Sequence, residues 1–210
     1  MIPVLYSLVL HRHSFRPEDE GKGNGASPEE IGVFTIYLLI ASLSVLFLGG
    51  IIAYFWMNYS LANGYKSTWS FQKINNLFWF LYLPSFLLLL SSLTLKKAQT
   101  YIKKDQILLS ARFLLFTCIL GLSFLLWQVF SWFEIKDYFS QKNIYIFIYY
   151  LLTFLHAFHL SIGQVFLVFI YLSTQKGYYT KKSHSPIRFI SIYWHFLTVV
   201  WFVILITLVI

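Results

Sequence analysis

Three histidines lie inside long apolar stretches of this 210-residue chain, and they have the widest chemical range of any side chains there. His156 and His159 are three residues apart, which places both on one face of a helix. His195 belongs to a later stretch and could stand opposite them. Neutral imidazole ligates copper, zinc and haem iron, so the sharpest reading is a metal centre, or a haem b held between His159 and His195. The surroundings argue against it. Glu18, Asp19, Glu20, Glu29, Glu30, Asp105, Glu134 and Asp137 are all the acids of the chain, and every one sits outside an apolar stretch or at its edge. Cys118 is the one cysteine and lies on a different stripe, so neither a disulfide within the chain nor a multi-cysteine metal site can form. The spacing therefore favours imidazoles that hydrogen-bond inside a bundle. No Ser-His-Asp arrangement can be assembled without a core acid, and no glycine-rich phosphate loop is present.

The elements that must position these residues are set by composition. Charged residues make up 11% of the chain and hydrophobic ones 58%, whereas soluble domains carry about 25% charged residues. A pI of 9.5 could suggest nucleic acid, but the basic residues form short clusters between apolar runs, which is the pattern of membrane topology and not of a phosphate-binding face. Five stretches, residues 31–57, 74–95, 113–133, 144–174 and 189–210, carry no charge for long enough to cross a bilayer, which takes about 20 helical residues. Backbone amides in hydrocarbon need internal partners, so each stretch is expected to be a helix. The fold class is all-α, an integral membrane bundle of five transmembrane helices.

The chain divides into residues 1–30 and a five-helix domain over 31–210. Residues 1–10 are apolar but too short to span, and they lack the basic flank and cleavage pattern of a signal peptide. Residues 11–30, with Pro17, Pro28, glycines and charges, read as a flexible cytoplasmic tail. Ser27, Pro28, Glu29 and Glu30 form a helix-start pattern of cap, first-turn proline and acids. Lys66, Lys73, Lys136 and Lys142 fall on one side of the membrane, and the rest of the 16 basic residues fall on the other. The positive-inside rule then puts the N-terminus inside and the C-terminus outside.

Small and polar residues recur at helical spacing in each stretch, as helix association in lipid requires. The expected packing stripes are Thr35, Ser42 and Gly49; Ser85 and Ser92; Thr117, Gly121, Phe124 and Gln128; Thr153, His156, His159 and Gly163; and Ser191, His195 and Thr198. A transporter would show mid-membrane charges, broken helices or paired repeats. Pro84 is the one proline within a stretch.

Four stretches carry motifs that resemble subunit III of haem-copper terminal oxidases, the cytochrome c and quinol oxidases. TFLHAFHLSIG, residues 153–163, is similar to that family's threonine, two histidines three apart, and glycine four later. YWHFLTVVW, residues 193–201, resembles its Trp-His-Phe, aliphatic, acid, Val-Val-Trp signature. Leu83-Pro84 followed by LSSLTL at 90–95, and residues 121–124 with Gln128, match in order. The family carries an acid where this chain has Thr198, and a glutamate at the position aligned here with Leu43, so roles tied to those carboxylates are not carried over. The resemblance is to the five-helix bacterial form.

That resemblance implies a subunit with no catalytic centre, cofactor or metal of its own, in the bacterial cytoplasmic (inner) membrane. Haem and copper would reside in partner subunits I and II. The chain would pack on subunit I, touch other oxidase subunits, bind phospholipids and support proton uptake during O2 reduction, with membership of a larger respiratory supercomplex open and no nucleic acid involved. The residues assigned to the family signature and to interior packing are Pro84, Ser91, Ser92, Gln128, His156, His159, Gly163, Trp194, His195 and Trp201. The alternatives are an accessory subunit of a nitric oxide reductase or of a quinol oxidase, and a bis-histidine haem b protein.

Overall fold

The computed structural model describes residues 28–64, 77–137, 144–179 and 184–209. The expected apolar segment at 1–10 and most of the tail at 11–30 lie outside the described residues, as do Lys66, Lys73 and Lys142. Five helices account for nearly everything described: α1 (Pro28–Gly64), α2 (Leu77–Lys103), α3 (Ile107–Asp137), α4 (Ile144–Gln175) and α5 (Ser185–Val209). Four of them, α1, α3, α4 and α5, are long and apolar enough to cross a bilayer. The side chains of α2 are described from Tyr82 onward, a portion that soon runs into Lys96 and Lys97.

The helix ends follow local chemistry. α1 opens on Pro28, where a missing amide costs nothing, and Glu30 falls in its first turn, at the positive end of the helix dipole. α2 closes with Asp105 in the left-handed region (φ 62°), the Asp105 amide donating to Ile102 O (3.1 Å) and the Gln106 amide to Tyr101 O (3.0 Å). α4 closes in the same way on Gly177 (φ 75°), with amides of Gly177 and Tyr178 reaching Thr174 O (3.0 Å) and Ser173 O (3.1 Å). Both are Schellman caps, which satisfy the last carbonyls of a helix.

α2, α3, α4 and α5 form a closed ring in which each packs on the next and α5 returns to α2. α1 stands outside it, packed on α4 and α5. The exterior is studded with large apolar side chains such as Val45 (72% exposed) and Phe154. Serines, threonines, Gln128 and His156 are buried. Polar side chains buried among apolar ones, beneath an apolar surface, are the distribution expected when lipid is the solvent.

The stripe expected on α1 is not the one that packs. Thr35, Ser42 and Gly49 are exposed, and a Cβ at Gly49 would meet nothing within 4 Å. The face turned to the bundle instead carries Gly32, Leu43, Phe47, Gly50 and Tyr54. A helix lying in the groove between two others fills that groove with large side chains. Small residues serve where two helix axes approach closely.

Candidate functional site

Each of the four seams of the ring is closed by polar side chains. Between α2 and α5, Trp194 Nε1–H donates to Ser91 Oγ (3.0 Å) and Trp201 Nε1–H to Ser85 Oγ (2.9 Å). In the same seam Ser92 Oγ hydrogen-bonds His195 Nδ1. Ser91 sends its own proton to Leu88 O (2.7 Å), so its oxygen is free to accept from the indole. Pro84 is buried next to Ser85. Between α2 and α3, the Thr94 and Thr117 hydroxyls meet at 2.9 Å, and Ser110 Oγ donates to Ala98 O (2.9 Å).

Between α3 and α4, Gln164 Nε2–H donates to Cys118 O (2.7 Å), Trp132 Nε1–H to Thr153 Oγ1 (3.1 Å), and the Tyr150 hydroxyl to Trp132 O (2.9 Å). Gln128 donates from Nε2 to Ser131 Oγ (3.3 Å), and both lie within hydrogen-bonding reach of the buried Tyr149 hydroxyl. Between α4 and α5, the Tyr193 hydroxyl donates to His159 O (2.9 Å). His156 Nε2 lies 3.1 Å from Leu197 O. A carbonyl only accepts, so the proton sits on Nε2 and leaves Nδ1 buried without a partner among the described residues.

The three imidazoles have separate partners. His156 is enclosed by Phe47, Phe124 and Trp201, with ring centroids 6.4, 5.7 and 5.1 Å away. His159 is half-buried and donates from Nδ1 to Leu155 O of its own helix (2.6 Å). His195 is half-buried at the α2–α5 seam. Among the described residues, no three His, Cys, Asp or Glu side chains gather as a group that could hold a metal.

Trp194 is the hub of the ring. Its indole is fully buried and lies against glycines on two other helices: a Cβ at Gly121 would stand 2.9 Å from Cη2, and one at Gly163 would stand 3.4 Å from Cζ3. The Gly121 position also abuts Gln164 Oε1, at 2.5 Å. Sequence reasoning passed over Gln164, whose amide bridges α3 and α4. Its place directly after Gly163, in the segment with the two histidines, was the available signal. It also passed over the Trp132–Thr153–Tyr150 chain, because indoles near helix ends read equally well as interfacial anchors.

An apolar exterior, membrane-length helices and an interior whose polar groups tie helix to helix define a multi-pass membrane protein of the helical-bundle class. Residues 2–210 match the family described as Cytochrome c oxidase subunit III, and the chain belongs to that family. It is 27% identical over 191 residues to cytochrome c oxidase subunit 3 of Synechocystis sp., a match covering 89% of this chain and 78% of that protein. The subunit 3 of Thermostichus vulcanus is 26% identical over 172 residues, 81% of this chain and 83% of that one. The cytochrome bo(3) ubiquinol oxidase subunit 3 of Buchnera aphidicola is 33% identical over 121 residues, 57% of this chain, a match that spans 59% of that protein's length. The chain is thus a subunit III of the haem-copper oxidase type, and as such it associates with other oxidase subunits.

Proposed function

We propose that this chain is a non-catalytic scaffold of a proton-translocating terminal oxidase, seated on the haem-bearing subunit I in a bacterial cytoplasmic membrane. In this reading it holds phospholipid and supports proton uptake while its partners reduce O2 to water. Haem and copper belong to subunits I and II. The cluster of Lys96, Lys97, Lys103, Lys104 and Arg112 about the α2–α3 turn faces the cytoplasm. The observation that carries the non-catalytic part is the use made of the interior polar groups. The hydroxyls, indoles and imidazoles of the family signature bond to neighbouring helices or to their own backbone, and the acids Glu30, Asp105 and Glu134 are exposed.

The similarity to a ubiquinol oxidase subunit as well as to cytochrome c oxidase subunits keeps quinol as the second candidate electron donor. Gentle-detergent affinity purification, with a reduced-minus-oxidised spectrum and mass spectrometry of the accompanying chains, tests the proposal. The expected result is recovery with a haem-copper subunit I and with oxygen consumption driven by either cytochrome c or quinol. Recovery of this chain alone with stoichiometric haem, abolished by His159→Ala, would overturn it.

A further inference from the structure

His159 keeps one hydrogen-bonding atom unused. Its Nδ1–H donates to Leu155 O (2.6 Å), and a carbonyl only accepts, so the tautomer is fixed and Nε2 carries a lone pair. The two ring nitrogens diverge, so Nε2 faces away from that carbonyl. No hydrogen bond among the described residues reaches it. The ring is half-buried and stands edge-to-face with Phe47 of α1 (centroids 5.8 Å apart) and with Phe158 of its own helix (5.6 Å). It lies 12 residues in from Phe147 and 16 from Gln175, the ends of the α4 span. At 1.5 Å per residue those are about 18 and 24 Å of helix, which puts the ring well inside the hydrocarbon. Water and headgroups do not serve that depth and acyl chains carry no donor, so the group that suits Nε2 is an N–H or O–H on another membrane-embedded molecule.

The surface beside it is shaped for a helix. Phe147, Leu151, Phe154 and Phe158 recur along the outward face of α4, all exposed in this chain by itself, with His159 at the edge nearest α1. The Phe154 and Phe158 rings stack, with centroids 6.4 Å apart and planes at 19°. At the other edge, Trp132 of α3 joins Phe147, Tyr150, Leu151 and Phe154 around a hollow of about 250 Å³. The polar groups of its walls are already engaged, Trp132 Nε1–H with Thr153 Oγ1 and the Tyr150 hydroxyl with Trp132 O. The hollow therefore offers carbon alone, while His159 offers an acceptor. Helices associate in lipid through close packing and interhelical hydrogen bonds, and this face supplies a place for each. We propose that the α4 face between α1 and α3 is a docking surface for a transmembrane helix of another oxidase subunit. That helix seats an apolar side chain in the hollow and donates a hydrogen bond to His159 Nε2. The proposal rests on this chain's assembly with other oxidase subunits and holds whichever of them supplies the helix.

Photocrosslinking within the assembled oxidase tests it, with p-benzoylphenylalanine in place of Phe158 and gentle-detergent purification of the full chain. The expected product joins this chain to another oxidase subunit. A second arm compares His159→Phe, which keeps an aromatic ring and removes the acceptor, with His159→Gln, which keeps an acceptor. Recovery of the other oxidase subunits per copy of this chain should fall about threefold for the phenylalanine variant, the factor that an average hydrogen bond within membranes supplies, and stay near the parental ratio for glutamine. An SDS unfolding titration of each variant separates loss of docking from loss of folding. A Phe158-position adduct with lipid or quinone alone, or equal recovery for the two His159 variants, would overturn the docking face and leave the assembly standing. Recovery of the unsubstituted chain with no oxidase subunit would overturn both.

Discussion

α1 and α5 are both long apolar helices, and the most apolar stretch of α1 exceeds that of α5 in hydropathy, yet α5 is the better buried and α1 lies on the outside. Their polar inventories explain the inversion. α5 brings Ser191, Trp194, His195, Thr198 and Trp201 to the interior, and three of these bond directly to serines of α2. α1 offers Thr35, Ser42 and Ser44, with the first two exposed, and one buried tyrosine, Tyr54. In water the more apolar helix would be expected at the centre. In lipid that preference disappears, and the helix with donors and acceptors to share takes the central place.

The strongest way to break this contrast is to push a helix of the ring outward. Gly121→Ala places a Cβ 2.5 Å from Gln164 Oε1 and 2.9 Å from the Trp194 indole, which is held on its far side by Ser91. Overpacking of this kind costs roughly 1–3 kcal/mol, and Gly121→Val should lie at or beyond the upper end. An SDS unfolding titration is expected to show loss of the folded bundle for the valine variant and a clear downward shift for alanine. If both variants unfolded like the parent chain, the close approach of α3 to α5 would be wrong.

Next in size are the α2–α5 hydrogen bonds. Trp194→Phe removes the indole donor and leaves Ser91 Oγ with one partner fewer. The expected cost is about 1–2 kcal/mol, part of it from the smaller ring. A double-mutant cycle with Ser91→Ala isolates the pair, with an expected coupling of about 0.6 kcal/mol, the usual size of such bonds within membranes. A coupling of zero would shift the explanation for α5's central position from bonding to shape alone. Ser92→Ala, which removes the partner of His195 Nδ1, should cost a similar few tenths to one kcal/mol in the same titration.

How much of this was legible in the sequence depends on the kind of question. The helices were, because an uncharged stretch in lipid has few other choices; the fourth was expected from residue 144, where α4 begins. The end of α2 was not: the uncharged stretch stops at Leu95, but the helix runs on to Lys103. Lysine near a membrane boundary reaches toward water along its own stem, so a charge ends the span without ending the helix. Packing partners were the least legible. A seven-residue recurrence of small side chains specifies a face of a helix but not what lies against it. On α3 that face, with Thr117, Gly121, Phe124 and Gln128, is buried in the ring, whereas on α1 the corresponding face at Thr35, Ser42 and Gly49 is exposed. The convergence of Gly121, Gly163 and Ser91 on Trp194 joins four helices across the whole chain, and no local pattern encodes it.

The smallest predicted effect sharpens the same comparison from the other side. Gly49 has the stripe position, the residue type and the mid-helix location of a packing glycine, as Gly121 does, but its Cβ would enter open space. Gly49→Ala on α1 should therefore change stability by no more than about 0.5 kcal/mol, the range of substitutions remote from packing. Any residual change should be favourable, because alanine is the better helix former. The pair Gly49→Ala and Gly121→Ala thus applies one chemical change to two helices of the same bundle. If both were strongly destabilising in the isolated chain, α1 would have to be packed as tightly as the ring, and the distinction between a polar-tied ring and a helix lodged outside it would fail. If Gly49→Ala were silent in the isolated chain yet weakened recovery of the assembled oxidase, the exposed face of α1 would be identified as a surface used by another subunit.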